Sequence, residues 1–226
     1  VENDVRPIAK EYDQEDKYPH ALAEQMKELG LFGATIGQEF GGLGLPASIY
    51  AKIVMKVASA WMAPSGIFNS HLIQASAIER CGTQAQKERF LPRMATGELR
   101  GGVALTEPNA GTDLQAIRTT AVKDGDDYII NGAKTWITNS LNGNSLAVLV
   151  KTDLDAVPAH TGTSMFIVET KDENGEFKAG ISVSKMKKLG YRSIDTCEVV
   201  FENVRVPAAN LVGEKEGSGF KHAIGG

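Results

Sequence analysis

Ala104-Leu105-Thr106-Glu107-Pro108-Asn109-Ala110-Gly111-Thr112-Asp113-Leu114-Gln115-Ala116, followed further on by Gly132-Ala133-Lys134-Thr135-Trp136-Ile137-Thr138-Asn139, is the part of this chain that says most about it. The first segment gathers hydroxyl- and carboxyl-bearing side chains around one turn with two small positions, Ala110 and Gly111. Such a turn leaves backbone N–H groups free to meet an anionic or carbonyl-rich ligand. The second segment ends a strand with an aromatic and a hydroxyl. On a strand Trp136 and Thr138 stand two apart and share a face, so one can lie against a ring while the other hydrogen-bonds its edge. A flat, polar-rimmed cofactor needs that arrangement. Thr106 leaves an apolar strand just ahead of Glu107-Pro108, where it presents its N–H and hydroxyl to whatever lies above the sheet.

Upstream of these segments the chain reads as helices. Leu22, Met26 and Leu29 recur at helical spacing and stop at Gly30, and Tyr50, Ile53, Val54, Val57 and Trp61 form a second stripe behind Pro46. Phe68, Leu72, Ala75 and Ile78 make a third that ends before Gly82. A fourth, opened by Thr83 as a candidate N-cap, carries Phe90, Leu91 and Met94 and ends at Gly97.

Beyond Gly101-Gly102 the texture changes. Asp124-Gly125-Asp126, Asn142-Gly143 and Asn174-Gly175 are turn signals separating apolar runs such as Tyr128-Ile129-Ile130, Leu146-Ala147-Val148-Leu149-Val150 and Met165-Phe166-Ile167-Val168. Ile181 to Lys185 and Cys197 to Val206 supply later strands, with Pro207 at the end. The spacing predicts antiparallel β structure. The expected fold class is α+β and multidomain: an all-helical domain over residues 1–100, an antiparallel β-barrel-like domain over 101–210, and a stub of a third domain over 211–226.

Composition narrows the function classes. The 226 residues are 42% hydrophobic, enough for a sizeable core, and a net charge of −4 carries no basic footprint for nucleic acid or anionic membranes. Cys81 and Cys197 stand alone without ligand spacing, which indicates neither zinc nor a disulfide framework and fits a reducing compartment. No apolar run is long enough to span a membrane, and Val-Glu-Asn-Asp carries no signal-peptide pattern. A bacterial cytoplasm is the expected location, with the mitochondrial matrix as the alternative.

The two opening segments resemble the acyl-CoA dehydrogenase family. Further stretches match it in order: Glu39-Phe40-Gly41-Gly42-Leu43-Gly44; His71 to Pro92 with Gly82-Thr83, Gln86-Lys87 and Phe90-Leu91-Pro92; Lys188-Leu189-Gly190-Tyr191-Arg192-Ser193-Ile194-Asp195-Thr196; Phe201-Glu202; and Val204-Arg205-Val206-Pro207. The resemblance implies FAD as cofactor, held by Val103, Leu105, Thr106, Gly111, Thr112, Trp136, Ile137 and Thr138. Leu105 and Thr106 would meet the flavin pyrimidine, Gly111 and Thr112 its phosphates, and Trp136 and Thr138 the isoalloxazine and the region of N5. Thr112 and Lys188 would touch an acyl-CoA substrate, although Lys185-Met186-Lys187-Lys188 reads equally well as a solvated strand end.

In the family a carboxylate removes the α proton of an acyl-CoA while hydride passes from the β carbon to the flavin, giving the 2,3-enoyl thioester. That base is expected from a C-terminal helical domain beyond residue 226, so the chain reads as a fragment, inactive alone and truncated before a helical bundle. Glu107 is expected to hold its loop together rather than to act as the base. A homo-oligomer and electron transfer to an electron-transfer flavoprotein are implied as well. The alternatives are a flavin oxidase or monooxygenase of the same superfamily and a non-catalytic module.

The histidines make no catalytic set: His20, His160 and His222 read as solvent-exposed, and His71 as a satisfied, partly buried residue beside the third stripe. No G-x-S-x-G elbow or Cys–base motif is present. Gly41-Gly42-Leu43-Gly44 follows no strand and is too short for a dinucleotide fingerprint.

Overall fold

The computed structural model describes residues 1–224. The helices α1 (Arg6–Glu15), α2 (His20–Glu28), α3 (Ala47–Ala58), α4 (Met62–Cys81) and α5 (Gln84–Ala95) precede every strand. Each apolar stripe maps onto one of α2 to α5, with two differences at the ends. Leu29 is largely exposed just past α2, and Trp61 sits in extended backbone as the N-cap of α4 rather than on α3. The periodicity runs on across Ser59-Ala60, where the chain breaks its helix and re-enters in a new direction. Thr83 closes a capping box: its hydroxyl accepts from Gln86 N–H at 3.3 Å, and its own N–H donates to Gln86 Oε1 at 3.1 Å. The Gln86 amide also donates to the Leu211 carbonyl at 2.6 Å, tying this helix start to the end of the sheet.

The strands are β1 (Gly101–Ala104), β2 (Thr120–Asp124), β3 (Asp127–Thr138), β4 (Ser145–Lys151), β5 (Thr163–Glu169), β6 (Ile181–Lys185) and β7 (Thr196–Pro207), and a short helix α6 (Gly219–Ile224) follows. β2–β3, β3–β7, β6–β7 and β4–β5 are antiparallel. The sheet is nevertheless mixed, which corrects the purely antiparallel expectation: β1 runs parallel to β4, pairing Gly101 with Ser145 through Ala104 with Val148. Turn signals dictate antiparallel pairing only for strands joined by a hairpin. The β2–β3 hairpin is itself the crossover that lets β1 and β4 lie parallel. β1 also packs against β3, so the sheet curls.

β4 and β5 are buried on both faces, as their uninterrupted apolar runs require. Ala147, Met165 and Ile167 join the core built by Phe32, Phe68, Phe90 and Met94 of the helical half, while Leu146, Val148, Phe166 and Val168 join Ile130 and Phe201 in the core of the sheet. One strand pair therefore serves two cores, and that locks the helices to the sheet.

Candidate functional site

The end of β3 departs from regular pairing. Lys134 faces Val199 and Ile137 faces Cys197, so β3 carries one residue more than β7 over the same span, a β-bulge. Trp136 takes up that residue at φ 62°, a left-handed conformation that a bulky side chain adopts rarely. The bulge turns the indole outward, leaving Trp136 58% exposed on a strand whose neighbours Thr135 and Ile137 are buried. Just beyond, Asn139 (φ 62°) anchors the strand end by donating from Nδ2 to the carbonyls of Ile67 on α4 (2.7 Å) and Gly101 on β1 (3.1 Å). The aromatic is thus held by a rigid frame and still presented to solvent.

The loop from Leu105 to Thr119 is fastened from beneath. Thr135 N–H donates to the Thr106 carbonyl at 2.9 Å. Lys134, whose side chain is fully buried, donates from Nζ to the Leu105 carbonyl and to Glu107 Oε1, both at 2.9 Å. The Glu107 carboxylate also accepts from the N–H groups of Arg118 (2.6 Å) and Thr119 (2.9 Å). Glu107 therefore does hold its loop together. Burial opposes its charge, but Lys134 and the two amides prevail, and its carboxyl lies below the ordinary value. Burial lowers the Lys134 ammonium to about 8 despite the opposing pull of Glu107, so both groups remain charged at neutral pH. Gly132 lies against the far end of the loop: at φ 146° a Cβ there would sit 2.5 Å from Thr119 Oγ1.

Above this pair, Val103, Leu105, Thr106, Trp136, Ile137 and Thr138 line one concavity of about 170 Å³, together with Ser70 from α4. Six of the sequence-predicted cofactor residues thus meet in one place. Val103 and Leu105 are shared with a second, larger groove of about 390 Å³ that runs along α4 past Asn69 and Ile73 and is bordered by Tyr50, Met165 and α6. Tyr50 donates to Asn69 Oδ1 at 2.7 Å, and burial pushes its phenol up to about 12, so it stays neutral. Gly111 and Thr112 lie on the exposed loop just past the Glu107–Ala110 turn, outside the concavity. Lys188 is elsewhere again. Its Nζ donates to the Ile194 carbonyl and Thr196 Oγ1, both at 2.8 Å, and Thr196 is the cross-strand neighbour of Thr138. Burial lowers the Lys188 ammonium, with Asp16 and Asp195 opposing.

Three histidines differ from expectation. His71 is wholly rather than partly buried, because the α4 face that carries it packs between Phe32 and Met94. Its Nε2 lies 3.1 Å from the carbonyls of both Phe32 and Met94, its Nδ1 has no partner, and burial lowers it to about 4. His222 is half-buried at the edge of the larger groove rather than exposed, since α6 folds back onto β5. His160 is also half-buried, near Phe220. His20 is exposed, and both cysteines are free thiols.

The N-terminal domain model of acyl-CoA dehydrogenases matches residues 1–98, and the middle-domain model of the same enzymes matches 102–204. The chain belongs to the acyl-CoA dehydrogenase family. The short-chain specific acyl-CoA dehydrogenase of Clostridium acetobutylicum is 38% identical over 226 residues, covering 99% of this chain and 57% of the relative. A structure described as the electron transferring flavoprotein of Acidaminococcus fermentans, studied for flavin-based electron bifurcation, superposes at a TM-score of 0.90 with 34% identity, covering 98% of this chain and 57% of that one. An acyl-CoA dehydrogenase from Bacillus anthracis complexed with FAD gives 0.85 and 33% identity, covering 99% of this chain and 37% of that one. The chain spans about half the length of the curated relatives it matches.

Two residues of this candidate site are not singled out by the sequence reading. Ser70 reaches the concavity from a helix far away in sequence. Lys134 is a lysine at an interior strand position, and the one signal for it is a charged residue between Ala133 and Thr135 where alternation puts a core side chain.

Proposed function

We propose that this chain forms the flavin-facing wall, and part of the acyl-facing wall, of an FAD-dependent acyl-CoA dehydrogenase. The observation that carries the reading is the Trp136 indole, held outward on a left-handed bulge beside the hydroxyls of Thr106 and Thr138, with an apolar groove opening from the same edge. These residues fit a flavin: a flat apolar face, polar groups at its rim, and backbone that is already fixed.

When bound, an isoalloxazine supplies the hydride acceptor for oxidising a Cα–Cβ bond. The chain's own share is placement. Trp136 offers the stacking surface, Thr138 a hydroxyl at the ring edge, and Val103 and Leu105 keep water from the boundary between cofactor and acyl chain. Leu105, Thr106 and Ile137 complete the contact with the ring, while Gly111 and Thr112 reach the phosphates. Thr112 and Lys188 face the CoA thioester. The groove beside α4, whose wall carries Leu72, Ile73, Val103, Leu105 and Met165 along with polar residues such as Asn69 and Arg80, takes the acyl chain. An electron-transfer flavoprotein as electron acceptor, and a homo-oligomer as working form, follow from the same reading. The two free cysteines agree with a reducing compartment, bacterial cytoplasm or mitochondrial matrix. No described helix is long and apolar enough to cross a membrane.

Anaerobic addition of acyl-CoAs of different chain lengths to the FAD-loaded full-length protein tests the reading. Bleaching of the flavin band that persists when oxygen is admitted supports a dehydrogenase. Rapid return of colour in oxygen points to an oxidase or monooxygenase, and no bleaching with any acyl-CoA to a non-catalytic module.

A further inference from the structure

We propose that the buried Glu107–Lys134 pair is the positioning device that keeps the two halves of the cofactor shelf in register, an inference that rests on the flavin reading above. The shelf comes from two segments with no covalent reason to stay aligned. One is the loop from Leu105 to Thr119, with Leu105, Thr106, Gly111 and Thr112; the other is the bulged end of β3, with Trp136 and Thr138. Only a few bonds join them. Lys134 lies on β3 two residues before Trp136, and its Nζ grips the start of the loop at the Leu105 carbonyl (2.9 Å). The same ammonium holds Glu107 Oε1 (2.9 Å), and the Glu107 carboxylate grips the end of the loop at the Arg118 and Thr119 amides. One ion pair thus ties both ends of the loop to the strand that carries the indole. A neutral residue at either position would leave a carbonyl or two amides without a charged partner.

A pair that serves only stability would behave differently from a positioning pair. Replacing buried ion pairs with apolar or neutral groups of similar shape often restores stability, because the desolvation of both charges disappears together. Registration of the loop is not restored, since the Leu105 carbonyl loses its donor and the two amides lose their anionic acceptor.

The experiment compares Lys134→Met, Glu107→Gln and the double variant in the full-length protein, reading thermal melting, FAD affinity by titration, the visible band of the bound flavin, and hydrogen exchange at residues 105–119 without flavin. In the double variant melting should recover toward wild type. FAD affinity should stay at least about tenfold weaker, because a shelf misplaced by even an ångström loses that much or more, with an altered flavin band. Exchange at the Arg118 and Thr119 amides should be at least about tenfold faster. Recovery of affinity and band shape together with melting would overturn the proposal and leave the pair a purely stabilising one. If the wild type binds no FAD, the flavin reading fails by itself, and hydrogen exchange decides the pair: unchanged protection at 118 and 119 in the double variant overturns it, and lost protection supports it.

Discussion

Lys134 beneath the loop of the sheet and His71 in the helical core are both completely buried titratable side chains, and they have been solved in opposite ways. Lys134 keeps its charge beside Glu107 and gives its hydrogen bonds to a loop whose Leu105 and Thr106 line the concavity. His71 gives up its charge: one ring nitrogen is shared between two carbonyls, the other has no partner, and its neighbours are core residues of α4, α5 and the Phe32 segment. Burial and a displaced pKa are common to both. What distinguishes the functional candidate is where its partners lie, which for Lys134 is the rim of a concavity and for His71 is the middle of a core.

The largest effect should come from breaking the Lys134 side of this contrast. Lys134→Met leaves an unpaired carboxylate in a buried site, which should destabilise the protein by about 3–5 kcal/mol, and pairing it with Glu107→Gln should return much of that. Chemical denaturation of the two variants side by side measures it; equal losses in both would mean the pair has no special place in the fold.

For His71 the sign runs the other way, through pH. Its folded-state value of about 4 lies below the 6.5 of an exposed imidazole, so the unfolded chain takes up a proton first as pH falls. The stability it supports is intact above about pH 6.5 and is lost between there and pH 4, amounting to about 3 kcal/mol for a shift of this size. Denaturation curves at pH 7 and near pH 4 should show that loss in the wild type and a loss smaller by about this amount in His71→Gln, which cannot titrate. The same slope in both would remove His71 as its source.

How far the molecule was legible beforehand follows from the range of each interaction. The α3 to α5 stripes, the Thr83 cap and the turns at Gly125 and Gly175 depend on residues a few positions apart, and they read directly. The parallel pairing of β1 with β4 joins strands separated by a hairpin, and nothing local records it. Strand alternation predicts Trp136 and Thr138 on one side, and both line the concavity. It could not show that Trp136 sits on a left-handed bulge, because the extra residue is defined against β7, a partner distant in sequence. The buried place of Lys134 was hidden for the same reason: its partners at 105 and 107 lie across the site, and a lysine in a strand reads as solvated.

Smaller effects should appear at the shelf. Trp136→Ala removes an exposed side chain, so melting should move little, by about 0.5 kcal/mol or less, while FAD binding weakens by about 1–3 kcal/mol in titrations of the full-length protein. A large loss of stability with unchanged affinity would make the indole a structural residue. Thr138→Val keeps the volume and removes one hydrogen bond of about 0.5–1.5 kcal/mol, which should leave the fold intact and slow flavin reduction several-fold in stopped-flow traces. Reduction at the wild-type rate would take Thr138 out of the ring-edge contact.

The most direct measurement is a crystal structure of the FAD-loaded full-length protein. The isoalloxazine should lie within about 4 Å of the Trp136 indole, with the Thr138 hydroxyl at about 3 Å from its edge and the bulge unchanged. A flavin bound away from Trp136, or an indole still facing solvent beside an occupied cofactor site, would contradict the account.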